Sequence, residues 1–161
     1  MAWELLGSTK LTSAGDIITV DNLTAKKFLY VQYFIIPSGS LDNISARFND
    51  DSGSNYARRY STDGGADGAS TSLNKLRFRS GGAVSNTFFG EFPIINISDE
   101  EKLVISHQVR NNTNGASNAP SRAEMVGKWA NTSDQITRID LIQDGSGDFA
   151  ADSELVVWGT D

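Results

Sequence analysis

The chain has 161 residues with 14 basic and 20 acidic side chains, one histidine and no cysteine. That length suits a single domain able to bury about 70% of its unfolded surface unaided, and the missing cysteine excludes disulfides, thiolate zinc sites and thiol nucleophiles. A net charge of −6, with the basic residues scattered along the chain, repels a phosphate backbone, so nucleic acid is not an expected partner.

The first residues, MAWELLGSTKLTSAGD, lack the basic and long apolar regions of a secretory signal. The longest apolar run, FLYVQYFII at 28–36, falls short of the ~20 residues that span a membrane. No membrane contact is expected, and synthesis in a cytoplasm without signal-peptide export is.

From there on the hydrophobic period is two, hardly ever 3.6. Strand-like segments fall at roughly 2–11, 16–20, 28–36, 44–49, 56–60, 73–79, 87–98, 102–110, 123–130, 135–143 and 153–159, with 56–60 the weakest. Residues 28–36 are apolar on nearly both faces, which predicts a central strand covered on both sides. In KLVISHQVR (102–110), Leu103, Ile105, His107 and Val109 share one face, predicted to point inward. The alternation of QITRIDLIQ breaks near Thr137–Arg138, where a bulge is predicted. Two polar intervals, 61–72 and 111–122, read as surface loops. With no internal repeat and no linker, the pattern predicts an all-β fold: one antiparallel, jelly-roll-like β-sandwich over residues 1–161.

Chemistry is sparse. His107, placed inward, reads as a core histidine, and the common hydrolase, phosphate-loop and zinc-protease motifs are missing. Glu91, in the apolar stretch FFGEFP, has no second acid at i±2 and is expected to pair with a cation such as Arg77. Carboxylates around glycine in NDDSGSN and QDGSGDF offer Asp50, Asp51, Asp144 and Asp148 as weak calcium ligands. Neither loop matches a calcium-loop motif, and the same residue types build tight turns, with Gly53 expected to supply a positive φ. No metal and no cofactor are therefore expected, and the chain is expected not to be an enzyme. Five glycosylation-type sequons begin at Asn22, Asn43, Asn96, Asn111 and Asn131; without a signal peptide they read as by-products of composition. Trp3, Trp129 and Trp158 could stack on sugar, but packing or a subunit contact is the expected use of Trp3 and Trp158 near the chain ends. Lys75, Arg77 and Arg79 alternate and so share a strand face.

Several stretches resemble small jelly-roll virion proteins of tailed bacteriophages. RFNDDSGSNYARRYS (47–61) resembles a strand ending in R-F-N that runs into D-x-G-S-N-Y. WELLGSTKLTSAGDIITVDNLTAKKFLYV resembles the opening strands, SNTFFGEFPIINIS a mid-chain strand, and ANTSDQITRIDLIQDGSGDFAADSELVVWG the closing pair. The resemblance covers most of the chain outside the two polar loops. It implies a non-enzymatic homotrimer without cofactor, located on the virion. Such domains decorate phage heads as cement proteins, bound to the major capsid protein, or form parts of tail fibres and tail tips. The start at MAWELL, the end at VVWGTD and the lack of heptads or collagen-like repeats suit a free-standing decoration protein. Expected partner contacts are Trp3, Leu5, Arg58, Arg77 and Arg79, with the loops 61–72 and 111–122 left out of the contact.

Overall fold

The computed structural model describes residues 2–78 and 84–161, and the described part is all β. Its strands are β1 (Glu4–Lys10), β2 (Ile17–Val20), β3 (Phe28–Ile35), β4 (Pro37–Ser38), β5 (Ile44–Phe48), β6 (Tyr56–Thr62), β7 (Gly68–Leu73), β8 (Leu76–Arg77), β9 (Phe88–Ile95), β10 (Lys102–Arg110), β11 (Ser121–Trp129), β12 (Ile139–Gln143), β13 (Asp148–Phe149) and β14 (Glu154–Thr160). Every ladder among them is antiparallel. An eight-stranded sheet runs β1-β14-β3-β9-β10-β11-β6-β7, a four-stranded sheet β2-β12-β5-β8, and β13 pairs with β4. The chain passes repeatedly between the two larger sheets, which gives one jelly-roll-like sandwich.

The two larger layers are unequal. Four strands cover the inner face of eight, and the core forms between them from Ile18, Val31, Ile35, Phe48, Phe88, Phe92, Ile139, Leu141 and Val157. Aromatic rings fill its centre. Phe78 stands 4.8 Å from Phe92 and 5.6 Å from Tyr33, while Trp129 stacks on Tyr56 at 6.3 Å and tilts against Phe48 at 6.0 Å. Tyr33 is fully buried, so its hydroxyl needs a partner, and it donates to Gln108 Oε1 at 2.9 Å.

Polar side chains close the seams where strands change sheet. Asn96, wholly buried, donates to Lys26 O and accepts from the Ile136 N–H at 2.7 Å. Asn49 Oδ1 accepts from the N–H groups of Thr137 and Arg138, and its Nδ2 donates to Gln135 O. The break expected as a bulge at 137–138 is therefore the approach to β12, held in place by Asn49. Arg138 in turn grips the buried Asp140 through both carboxylate oxygens at 3.0 Å. Beside the same seam, Lys26 bridges Glu4 at 2.7 Å and Asp161 at 2.9 Å, tying the segments near the two termini together.

The weakest strand candidate, 56–60, is borne out as a full strand, β6, but two expectations about elements need correction. Residues 61–72 are not one loop: after a turn with positive φ at Asp63 and Gly64, β7 returns beside β6. Strand β3 is central in its sheet but is covered on one side only, since Phe34 is exposed and Phe28, Tyr30 and Gln32 are half-buried.

Two glycines explain how large rings fit on the sheet. Tyr33 lies across Gly90 and Tyr60 across Gly68, where a Cβ would collide with each ring. Gly90→Ala should therefore force Tyr33 from its place between Gln108 and Phe78. Overpacking of this kind costs about 1–3 kcal/mol, equal to a fall of several degrees in Tm for a domain this size. Thermal melts of Gly90→Ala against an exposed control such as Ala69→Ser would check it.

Candidate functional site

The site with the most to offer is a face. Strand β10 carries its apolar side chains outward: Leu103, Ile105 and Val109 are exposed, while Lys102, Val104, Ser106 and Gln108 point into the sandwich. This reverses the expected orientation and puts His107 outside, 62% exposed. The reversal is tolerated because the inward polar groups find partners: Gln108 accepts from Tyr33, and Lys102 Nζ donates to the carbonyls of Ser98, Glu100 and Asn131. Burial lowers the pKa of the Lys102 ammonium.

Strand register lines these outward side chains into rows across the sheet. One row runs Leu5, Trp158, Tyr30 and Pro93, and continues beside it through Ile105, Val126 and Arg59. The next is polar: Glu124, His107, Glu91 and Gln32. Beyond it lie Val109, Phe89 and Phe34, a second apolar row. Trp3 stands edge-on to Tyr30 at 6.1 Å and, with Trp158 and Gln32, lines a shallow hollow of about 480 Å³. A neighbouring apolar groove of about 490 Å³ is lined by Trp3, Phe28, Pro93, Ile95, Leu103 and Ile105.

In the polar row the Tyr30 hydroxyl hydrogen-bonds the Glu91 carboxylate, and this bond raises the phenol pKa. His107 Nδ1 lies 4.0 Å from Glu91. Glu91 thus faces a phenol and an imidazole on the outer face of the large sheet. The expected partner Arg77 is on β8, in the small sheet.

The expected contact residues separate into three groups. Trp3 and Leu5 lie on the outer face, 50% and 54% exposed. Arg58 does not. Arg58 and Arg59 point to opposite sides of β6, and the outward one is Arg59, 61% exposed and 4.0 Å from Asp67. Arg58 is buried, donates to Arg77 O across the two sheets and lies 4.1 Å from the Tyr60 ring. It holds the layers together. Arg77 sits at the β8 edge, across the sandwich from the edge where Thr9 of β1 donates to Thr19 O of β2 at 2.6 Å. Trp3, Leu5 and Arg77 therefore cannot belong to one flat contact surface. Lys75 is held in an ion pair with Asp144 at 2.6 Å, and Arg79 lies outside the described residues.

The four aspartates proposed for calcium are spread over separate structural duties. Asp50 pairs loosely with Arg47 at 3.7 Å, Asp144 binds Lys75 and Ser45, and Asp148 meets Asp16, whose carboxyl raises its pKa. No group of three or more metal-ligating side chains gathers among the described residues. Asp51 is the lock of the 49–55 connection: it accepts from Gly53 N–H at 2.8 Å, Asn55 Nδ2 at 2.8 Å and Trp129 Nε1 at 2.6 Å. Positive φ falls on Asn49 and Asp50, not on Gly53. The requirement at Gly53 is space, because a Cβ there would stand 2.8 Å from Asn55 Nδ2 and 3.0 Å from Asp51 Oδ1. The sequons also divide by burial: Asn43 and Asn96 are buried, so a glycan has no access to either.

No family model and no curated protein matches the chain. Among solved structures it aligns over 94% of its length with 24% of the Clostridium perfringens CspB protease, at 8% identity and a TM-score of 0.32. Alignments to infectious bursal disease virus, Gx strain, and to its VP2 subviral particle give 10% and 9% identity, each at a TM-score of 0.12. They cover 94% and 99% of this chain and 41% and 40% of those chains. The chain thus spans less than half of each. No helix among the described residues is long and apolar enough to cross a membrane.

Partial burial pushes the Asp51 carboxyl up, but the hydrogen bonds from Trp129, Asn55 and Gly53 and the charge of Arg47 outweigh it, so its pKa is lowered. A lowered carboxyl stabilises the fold above the ordinary carboxylate pKa, and the contribution is lost as pH falls through the folded value. Asp51→Ala should cost about 1–3 kcal/mol at neutral pH by stranding the buried indole N–H. The gap between wild type and variant should narrow below about pH 4, where the unfolded carboxyl also protonates. Urea titrations at neutral and acid pH would measure both.

Proposed function

We propose that the protein is a non-enzymatic structural component of a tailed-phage virion: a decoration protein that binds the outside of the head, through the major capsid protein, as a symmetric oligomer. The observation that carries the reading is the outer face of the large sheet, broad and largely apolar, where His107 lines two shallow, open hollows of about 270 and 350 Å³ rather than an enclosed cleft. Contact with large, flat neighbours suits such a surface better than turnover of a small substrate, which needs convergent groups in a concave pocket. Its polar chemistry elsewhere is spent internally, with Asp51, Asn49, Asn96 and Arg58 each fastening one part of the fold to another. The phage resemblance of residues 47–61 and of the opening and closing strands supplies the setting. Many weak, symmetric attachments on a shell add up to firm binding.

A second reading is a tail-fibre or tail-tip domain that binds receptor carbohydrate. One feature favours it: the hollow between Trp3, Tyr30 and Trp158 offers ring faces for a sugar, with the Gln32 amide beside them. The polar loop at 111–120 carries no aromatic residue for stacking.

Immunogold labelling of virions with antibody to this chain separates the readings. Label over the head is the expected result. Label confined to the tail would install the second reading, and unlabelled virions would overturn both.

A further inference from the structure

We propose that the outer face of the eight-stranded sheet is where copies of this chain bind one another, a second copy covering Leu103, Ile105, Val126, Phe89 and Trp3. The inference rests on the assembly half of the reading above and is independent of its head-binding half.

Area is the first argument. Trp3, Leu5, Phe34, Phe89, Leu103, Ile105, Val109 and Val126 are between 37% and 56% exposed, and all stand on this one face. With the half-covered rings of Tyr30 and Trp158 beside them, they present roughly 800 Å² of apolar surface, taking 150–250 Å² for a whole aromatic side chain. A stable protein contact takes about 800 Å² from each partner. One copy therefore exposes what a standard interface needs.

Charge decides the occupant. The molecule carries −6, which would hold copies apart if that charge faced the contact. On this face the cations have acids of their own. Arg122 lies 3.4 Å from Glu124, Lys128 2.7 Å from Glu101 and Arg59 4.0 Å from Asp67, while Glu91 is hydrogen-bonded by Tyr30 beside His107. A strongly acidic or basic partner finds no opposing field there. A second copy, locally balanced in the same way, meets no like-charge penalty.

Strand patterning is the third argument. Outward apolar side chains on β10 and on the central β3 expose surface to water in a lone copy, and an added layer would remove it. The polar row of Glu124, His107, Glu91 and Gln32 between two apolar rows would then fix the register of the copies, since any other alignment buries charge against apolar side chains.

Sedimentation velocity on the isolated full chain tests this without any virion. The unsubstituted protein should associate between about 1 and 100 µM, the range expected of a modest interface of this area. Ile105→Glu and Val126→Glu each introduce a charge at the centre of the patch and should weaken association at least ~30-fold. Both positions are about half exposed, so the fold should persist by circular dichroism. Ile17→Glu, equally exposed on the small sheet, should leave association unchanged. Hydroxyl-radical footprinting of the unsubstituted chain needs no variant: Trp3 and Phe89 should lose labelling on concentration while Ile17 does not. A monomer throughout the range, association that survives both glutamates, or protection centred on Ile17 would each overturn the proposal. Self-association without head labelling would leave this inference standing and remove the decoration role.

Discussion

Everything in this molecule follows from an inequality of layers. Four strands can cover one face of eight and no more, so the large sheet has a packed inner side and an uncovered outer side. The inner side is built around stacked and tilted rings, Tyr33, Phe78 and Phe92 at one end and Phe48, Tyr56 and Trp129 at the other. Such rings remove much apolar surface from water for each residue immobilised. They demand close approach of backbone in return, and Gly90 and Gly68 provide it.

A sandwich whose chain keeps changing sheets has many irregular crossings, each with backbone groups that the ladders do not satisfy. Side-chain amides and carboxylates take over that duty. Asn49 and Asn96 hold residues 135–138 to the turns beneath them, and Asp51 joins the 49–55 connection to Trp129. Arg58 ties β6 to β8. These groups have the residue types of a binding site but are occupied by the chain itself. That is why acidic loops rich in Asn, Ser and Gly suggest calcium in the sequence and turn out to be fasteners in three dimensions.

The outer face has the opposite character. Its apolar side chains are left uncovered by the fold, in two rows parted by a polar one, with paired charges beside them. A lone copy gains nothing by exposing Leu103, Ile105 and Val126, and loses stability and solubility through them. Assembly gives such residues a physical reason to be there.

Alternation with period two was enough to read an all-β, single-domain sandwich and to place most of its strands within a few residues, because half-buried strands impose that pattern directly. Turn chemistry likewise marked the 49–55 connection. What the sequence could not decide was which side of a strand faces inward. In KLVISHQVR both faces are plausible by composition, and only the pairing of Gln108 with Tyr33 and of Lys102 with three carbonyls settles that the polar side goes in. The same blindness misplaced His107, Glu91 and Arg58. Strand β7 was hidden for a different reason: apart from Leu73 at its end, this edge strand is Gly, Ala, Ser and Thr, gets its order from backbone pairing with β6, and shows no alternating hydrophobic pattern. Local sequence fixes the period of burial. Its sign depends on partners brought from 19 to 121 residues away, which exist only once the sheets have met.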